Sequence, residues 1–267
     1  MTEQPNYQEN PPSIEVFGRS YTKNHATPGG SGIFYHHAGD THGVKLIPYI
    51  SALGQFGKAK VDATLEAHIA QFAQSLNPLQ IIGADDTTEI TLPNKQGGLA
   101  MLVRYGGKTA RNNYQLNNED KLTLCHNVAS ALTVLHQNNI MHGDISPENI
   151  VYHQTNQGIQ AAITDFGEAR RIGIDLDFPG GTNSYADPER AYGNTGYTND
   201  VYSFSIISEN LLQEYLAQQS CFGFGTLLKN ELTAAKGSSR TRPSMNNLYI
   251  LLRDALSAEK ALQRDAA

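Results

Sequence analysis

The twelve residues MHGDISPENIVY, 141–152, constrain this chain more than any other stretch. They set a carboxylate, Asp144, and an amide five residues later, Asn149, on one short loop that runs into an apolar, strand-like tail. A carboxylate so placed can accept the hydrogen bond of an attacking hydroxyl, and the amide can reach back to a metal ion that neutralises phosphate groups. A second anchor follows in ITDFGEAR, residues 163–170, where Asp165 stands before Phe166 and Gly167. Chance rarely produces two such anchors at this gap.

The remaining composition narrows the setting. A chain of 267 residues is long enough for one large domain or two small lobes, each with its own apolar layer. Net charge of -6 and the lack of a Lys/Arg run argue against nucleic acid or an anionic membrane as main partner. Cys125 and Cys221 fit no metal or disulfide spacing and read as packing residues in a reducing compartment. No apolar window has membrane-spanning length, and the first thirty residues lack the basic-then-apolar order of a secretory signal, so a cytoplasmic start is expected. Residues 1–14 are read as a polar, Pro-containing disordered tail, in which a non-classical export signal could lie.

Along the chain, PGGSGIFYHHAGDTHGVKLIP predicts a hairpin with strands at Ile33–Tyr35 and Val44–Ile47. Gly29, Gly30, Ser31 and Gly32 lack bulk where backbone amides could approach a phosphate, although a plain glycine-rich turn explains them equally simply. His36, His37, Asp40 and His42 have no metal-site spacing and are read as solvated turn residues. Residues 62–76 carry Leu65, Ile69, Phe72, Ala73 and Leu76 at helical spacing, with Asp62 as N-cap and Glu66 beside the stripe. Two strands, ITLPN and LAMLVRYGG, flank a turn at Gln96, Gly97 and Gly98. A core helix over 118–136 then presents Leu122, Cys125, Val128, Leu132 and Leu135 along one face, opened by Asn118 and two acids. ENIVY and QAAIT read as short strands, and DVYSFSIISENLLQEYL from Asp200 as a single buried helix. LLKNEL and MNNLYILLRDAL complete a helical half.

These motifs, in this order, resemble the protein kinase superfamily over residues 28–255. The resemblance implies an α+β, bilobal fold: a small β-rich N-lobe with one main helix (15–103), a hinge (104–107) and a mainly helical, shortened C-lobe (108–267). It implies ATP and Mg²⁺ as cofactors and a protein substrate. Carried over residue by residue, Lys45 resembles the strand lysine that pairs the α and β phosphates, with Glu66 as its helix partner. Val103 is then the gatekeeper, and Arg104 and Tyr105 form the hinge that reads adenine through backbone groups. Asp144 is the catalytic base, Asn149 and Asp165 hold Mg²⁺, and His142 and Phe166 stack in the spine joining the lobes. In GTNSYADPE, Thr182 shapes the site for a hydroxyl substrate and Glu189 pairs with Arg242, while Asp200 braces the catalytic-loop backbone.

Three departures from the family pattern carry meaning. Gly143 stands where many kinases place an Arg that binds a phosphorylated activation loop, and EARRIGIDLDFPGG, 168–181, holds no Ser, Thr or Tyr. Together these imply a segment held active without phosphorylation; whether a partner activates the chain is left open. Ser146 replaces the Lys two residues after the catalytic Asp, which removes a cation from the transferring phosphoryl group. About forty residues separate Asp200 from Arg242, so the usual substrate-docking helix is expected to be short or missing. Such trimmed lobes with HGD loops are similar to bacterial effector kinases, which implies secretion into a host cell.

Other readings use the same residues. Aminoglycoside- or choline-type phosphotransferases also carry HGD with an Asn five residues on, but have no reason to carry GTNSYADPE. Transfer of AMP is known on this fold. A pseudokinase would keep the shape without the chemistry, yet Lys45, Asp144 and Asp165 are all retained.

Overall fold

The structure, a computed structural model, describes residues 11–23, 33–49, 56–92, 97–112, 116–175, 184–193, 196–218 and 223–265. They divide into two units, one made of residues up to Gln71 with Gly83–Tyr105, the other of Phe72–Ile82 with Gly106 onward.

The chain runs through β1 (Ser13–Val16), β2 (Arg19–Lys23), β3 (Ile33–His36), β4 (His42–Pro48), α1 (Phe56–Leu76), β5 (Ile81–Ile82), β6 (Asp86–Thr91) and β7 (Gly97–Arg104). All but β5 and the end of α1 belong to the first unit. Its sheet has the order β1-β2-β3-β4-β7-β6, every neighbour antiparallel. The hairpin expected at Ile33–Tyr35 and Val44–Ile47 is β3/β4, in a register that sets Phe34 opposite Lys45.

Ahead of it lies a hairpin that the sequence reading left out, and the expected tail ends before Ser13. Ile14, Val16 and Tyr21 alternate with exposed residues and join Tyr35, Val44, Leu46, Leu92 and Ala100 in the core of the sheet. The two-residue turn, Phe17 and Gly18, has φ of 51° and 71°, the left-handed pair whose twist matches that of the strands it joins. The polar turn of β3/β4 is spoken for by ordinary partners: Asp40 pairs with Arg19 at 2.5 Å, His37 Nδ1 meets the Ser20 carbonyl at 2.8 Å, and His42 Nε2 lies 3.1 Å from Asp85.

Helix α1 starts at Phe56, so Asp62 is an exposed mid-helix residue and not its cap. Helix-favouring Lys58, Ala59 and Lys60 let the helix propagate past the capping signal. Its buried stripe is built on small residues, Ala63, Ala67, Ala70 and Ala73 with Glu66 and Ile69, whereas Phe72 is 49% exposed. Chain segments come very close there: a Cβ on Gly83 would fall 1.9 Å from the Ala70 carbonyl oxygen, so only glycine fits.

The second unit adds β8 (Lys108–Thr109), α2 (Asn118–Gln137), β9 (Ile140–Met141), β10 (Ile150–Thr155), β11 (Gly158–Thr164), β12 (Arg170–Arg171), α3 (Thr198–Leu211), α4 (Gln213–Gln218), α5 (Phe224–Ala235) and α6 (Met245–Asp265). β5-β11-β10-β8 form one small sheet and β12-β9 another. The five residues expected along one face of α2 are all buried. Its N-cap is Asn117, one residue earlier than expected, with Oδ1 accepting from the Asp120 N–H at 2.8 Å. Burial pushes the Cys125 thiol up to about 12, so it is a protonated packing residue. Cys221 lies outside the described residues. The helix expected from Asp200 starts at Thr198 and breaks at Leu212 into α3 and α4. α6 packs along α2 and α5. Among the described residues no helix is long and apolar enough to cross a membrane.

Candidate active site

Strands β9 and β10 bracket the loop 142–149, so the short sheets of the second unit hold both of its ends. Within it Asn149 Nδ2 donates to the Asp144 carbonyl at 2.9 Å and to Asp144 Oδ2 at 2.8 Å, which fixes the carboxylate's orientation. Ser146, nine-tenths buried, accepts at its carbonyl from the Asn149 N–H at 3.0 Å and so closes the turn between them. Strand β11 ends at Thr164, and Asp165 follows in the left-handed region at φ 68°, a conformation Asp tolerates better than most residues. Asp165 Oδ1 accepts from the Gly167 N–H at 3.4 Å.

The wholly buried His142 joins the two segments. Its Nε2 donates to the Thr164 carbonyl at 3.2 Å, its Nδ1 accepts from the Asp144 N–H at 3.3 Å, and its ring lies 5.0 Å from the ring of buried Phe166. Beneath it Asp200, from the first turn of α3, accepts from the N–H groups of His142 and Gly143 at 2.8 Å each and from His136 Nε2 at 2.9 Å. His136 was not singled out in the sequence because a lone His at the end of an amphipathic helix carries no signal; only the fold brings it to Asp200.

Burial alone would raise the Asp200 carboxyl, but the His136 hydrogen bond and charge, with the Gly143 N–H, hold it below the usual range. A lowered carboxyl stabilises the fold fully above its unfolded value of about 3.9, and that stability is lost as pH falls through the native value. Urea unfolding should therefore show stability declining below about pH 4, and Asp200→Asn should be weaker at pH 7 with a shallower acid decline. An Asp200→Asn protein with the parent's stability at pH 7 would contradict the bracing.

In the first unit, Lys45 of β4 and Glu66 of α1 form a buried pair, Nζ to Oε1 2.6 Å, with side chains 4% and 6% exposed. The β3/β4 register and the small-residue face of α1 position both. β7 ends in Val103 and Arg104, and Tyr105 donates its N–H to the Thr41 carbonyl at 2.9 Å. The Tyr105 N–H of the expected hinge is therefore committed within this unit. Gly29, Gly30, Ser31, Gly32 and Thr182 lie outside the described residues.

A further correction concerns Arg242. Its Nη2 donates to Asp187 Oδ1 at 3.0 Å and its Nη1 bonds Asp187 Oδ2, a bidentate pair with side chains 1% and 0% exposed. Glu189, expected as its partner, instead accepts from the Ser239 N–H at 3.1 Å. Asp187 sits at the buried start of the 188–192 turn, where a short side chain reaches the guanidinium; Glu189 lies one step outward. A carboxylate buried in a loop, as Asp187 is, is itself a sign of a cationic partner.

The second unit thus holds a carboxylate oriented by an amide and, two strands further along the chain, a second carboxylate at positive φ, and the first unit holds a buried Lys–Glu pair. The family model for the protein kinase domain matches residues 85–231, more than half of the chain, and the chain belongs to that family. It is similar to "Serine/threonine-protein kinase pkn2" of Myxococcus xanthus, 28% identical over 158 residues, which is 55% of this chain and 18% of that protein. It is also similar to "Probable serine/threonine-protein kinase gdt4" of Dictyostelium discoideum, 34% identical over 123 residues, covering 42% and 8% respectively. "Myosin light chain kinase A" of the same organism is 36% identical over 89 residues, 33% of this chain and 30% of that one. The chain thus spans less than a third of the length of these relatives.

Proposed function

We propose that the chain is a Mg-ATP-dependent serine/threonine protein kinase that moves the γ-phosphoryl group of ATP to a protein hydroxyl. The observation that carries this is the Asn149–Asp144 bond on a loop tied, through the Thr164 N–H donating to the Asn149 carbonyl at 2.9 Å, to the strand end before Asp165, read within a family whose similar members are named protein kinases. In this reading the hydroxyl oxygen bonds to γ-phosphorus as the bond from γ-phosphorus to the β,γ-bridging oxygen breaks. ADP leaves, and the hydroxyl proton passes to Asp144.

The residues fit a magnesium site. Asp165 and Asn149 would hold it, two hard-oxygen ligands being the usual protein share when phosphates and water complete the shell. The metal supplies charge neutralisation at the phosphates. Asn149 spends its Nδ2 hydrogens on Asp144, which leaves its Oδ1 as the ligand atom. Lys45, oriented by Glu66, would neutralise the α and β phosphates, Gly29–Gly32 would cover them, and Val103 with Arg104 would border adenine. Ser146 and Thr182 would position the acceptor hydroxyl. The N-lobe then begins at Ser13, the hinge is 104–107 and the C-lobe follows.

The reading includes activity without activation-segment phosphorylation, supported by the absence of a hydroxyl side chain in 168–181. The short stretch from Asp200 to Arg242, with only the six-residue α4 and α5 between α3 and Arg242 among the described residues, supports a trimmed lobe of the kind bacterial effector kinases have. Phosphatase-treated, purified chain should label Ser or Thr of a protein mixture as fast as untreated chain. Activity that appears only after incubation with a second kinase would overturn it.

A further inference from the structure

Glu168 follows the Asp165–Phe166–Gly167 run directly, and it faces the charges of Asp144 and Asp165 as well as those of Arg190 and Arg170. Three carboxylates gathered around a loop and a turn repel one another unless a cation sits among them. Arg170 lies in the same segment as Glu168, and its Nη1 donates to the Gly167 and Ala169 carbonyls at 3.3 and 2.7 Å. Arg190 comes from elsewhere. Standing in the 188–192 turn with its side chain 10% exposed, it sends Nη1 to the Gly143 carbonyl at 2.8 Å and Nη2 to Glu168 Oε2 at 3.5 Å. One guanidinium therefore touches the residue just before Asp144 and the residue three after Asp165.

The backbone leaves little choice about where that cation originates. Gly143 has φ 80°, and a Cβ there would fall 2.6 Å from the Glu168 carbonyl oxygen. No side chain at 143 is compatible with this approach of the two segments, so residue 143 itself cannot supply the tie.

We propose that Arg190 is a positioning residue that locks the Gly143–Asp144 and Asp165–Glu168 segments together from the 188–192 turn, a built-in cation that holds the site ready without a phosphate on the chain. The inference rests on the phosphotransfer reading for its functional consequence and on the geometry alone for the clamp.

The test compares the parent with Arg190→Ala and Arg190→Lys. In Arg190→Ala, kcat should fall roughly 10²-fold, the scale of a misplaced catalytic group, while KM for ATP and the melting temperature stay near the parent's. Arg190→Lys, which keeps the charge but loses the planar fork, should fall in between, and methylguanidinium added to Arg190→Ala should restore part of the rate. Amide hydrogen exchange, read independently of activity, should rise at 143–145 and 166–169 in Arg190→Ala. Local exchange that rises in Arg190→Ala while the parent itself transfers no phosphate would keep the clamp and sink the kinase reading. An active parent with unchanged exchange and kcat in Arg190→Ala would overturn the clamp. So would faster exchange throughout the second unit with a lowered melting temperature and no rescue, which marks a merely structural role.

Discussion

Asp165→Asn is expected to fold like the parent and to lose phosphotransfer by roughly 10³-fold or more. If Asp165 holds Mg²⁺ as proposed, the size follows from removing a ligand charge where metal stabilisation of the transition state supplies several kcal/mol. Asparagine is the informative replacement because Asp165 sits at φ 68°, where Asn is tolerated and Ala is strained. The neighbours support a preserved fold: Phe166 keeps its contact with His142, and the Thr164 carbonyl keeps its bond from His142 Nε2. Steady-state transfer rates beside a thermal melt check both halves of the expectation. A variant that melts with the parent and transfers phosphate at a comparable rate would remove Asp165 from the metal site.

The largest effect on stability should come from Arg242→Ala. It leaves Asp187, fully buried, without its bidentate partner, and breaking such a pair from one side costs about 3–5 kcal/mol. Arg242 also donates from Nη1 to the Thr198 carbonyl at 3.0 Å, and its guanidinium lies 5.0 Å from the Tyr202 ring centroid. One side chain thus ties the 187–192 turn to the start of α3. Glu189→Ala should cost far less, because Glu189 bonds neutral Ser239 and its loss leaves no buried charge unpaired. Urea unfolding of the two variants separates the cases. Equal losses would restore the Glu189–Arg242 pairing that the sequence pattern suggested.

That pairing shows where the sequence was legible and where it was not. The bond from Asn149 to Asp144 and the position of Asp165 at a strand end were legible because short-range geometry is written in spacing. The α2 face from Leu122 to Leu135 was readable for the same reason, with large apolar residues at a helical period. Helix α1 was harder, since its buried face is alanine and small residues give a weak periodic signal. The β1/β2 hairpin went unseen because only Ile14, Val16 and Tyr21 mark it, and its turn places a Phe, not an Asn, at positive φ. Partners far apart in the chain were the least legible. Whether Arg242 meets Asp187 or Glu189 depends on which carboxylate the 188–192 turn points inward, and nothing in the order of residues fixes that. Arg190 and His136 were missed likewise, each defined by the segment it reaches and not by its neighbours.

The central claim is that this chain moves phosphate from ATP to a protein hydroxyl using Asp144. Its most direct test is incubation with γ-labelled ATP and Mg²⁺, parent beside Asp144→Ala, against a protein lysate and separately against small alcohols and aminoglycosides. The account predicts label on Ser or Thr of protein with the parent, lost with Asp144→Ala. Label confined to a small molecule, or protein label that persists in Asp144→Ala, would contradict it.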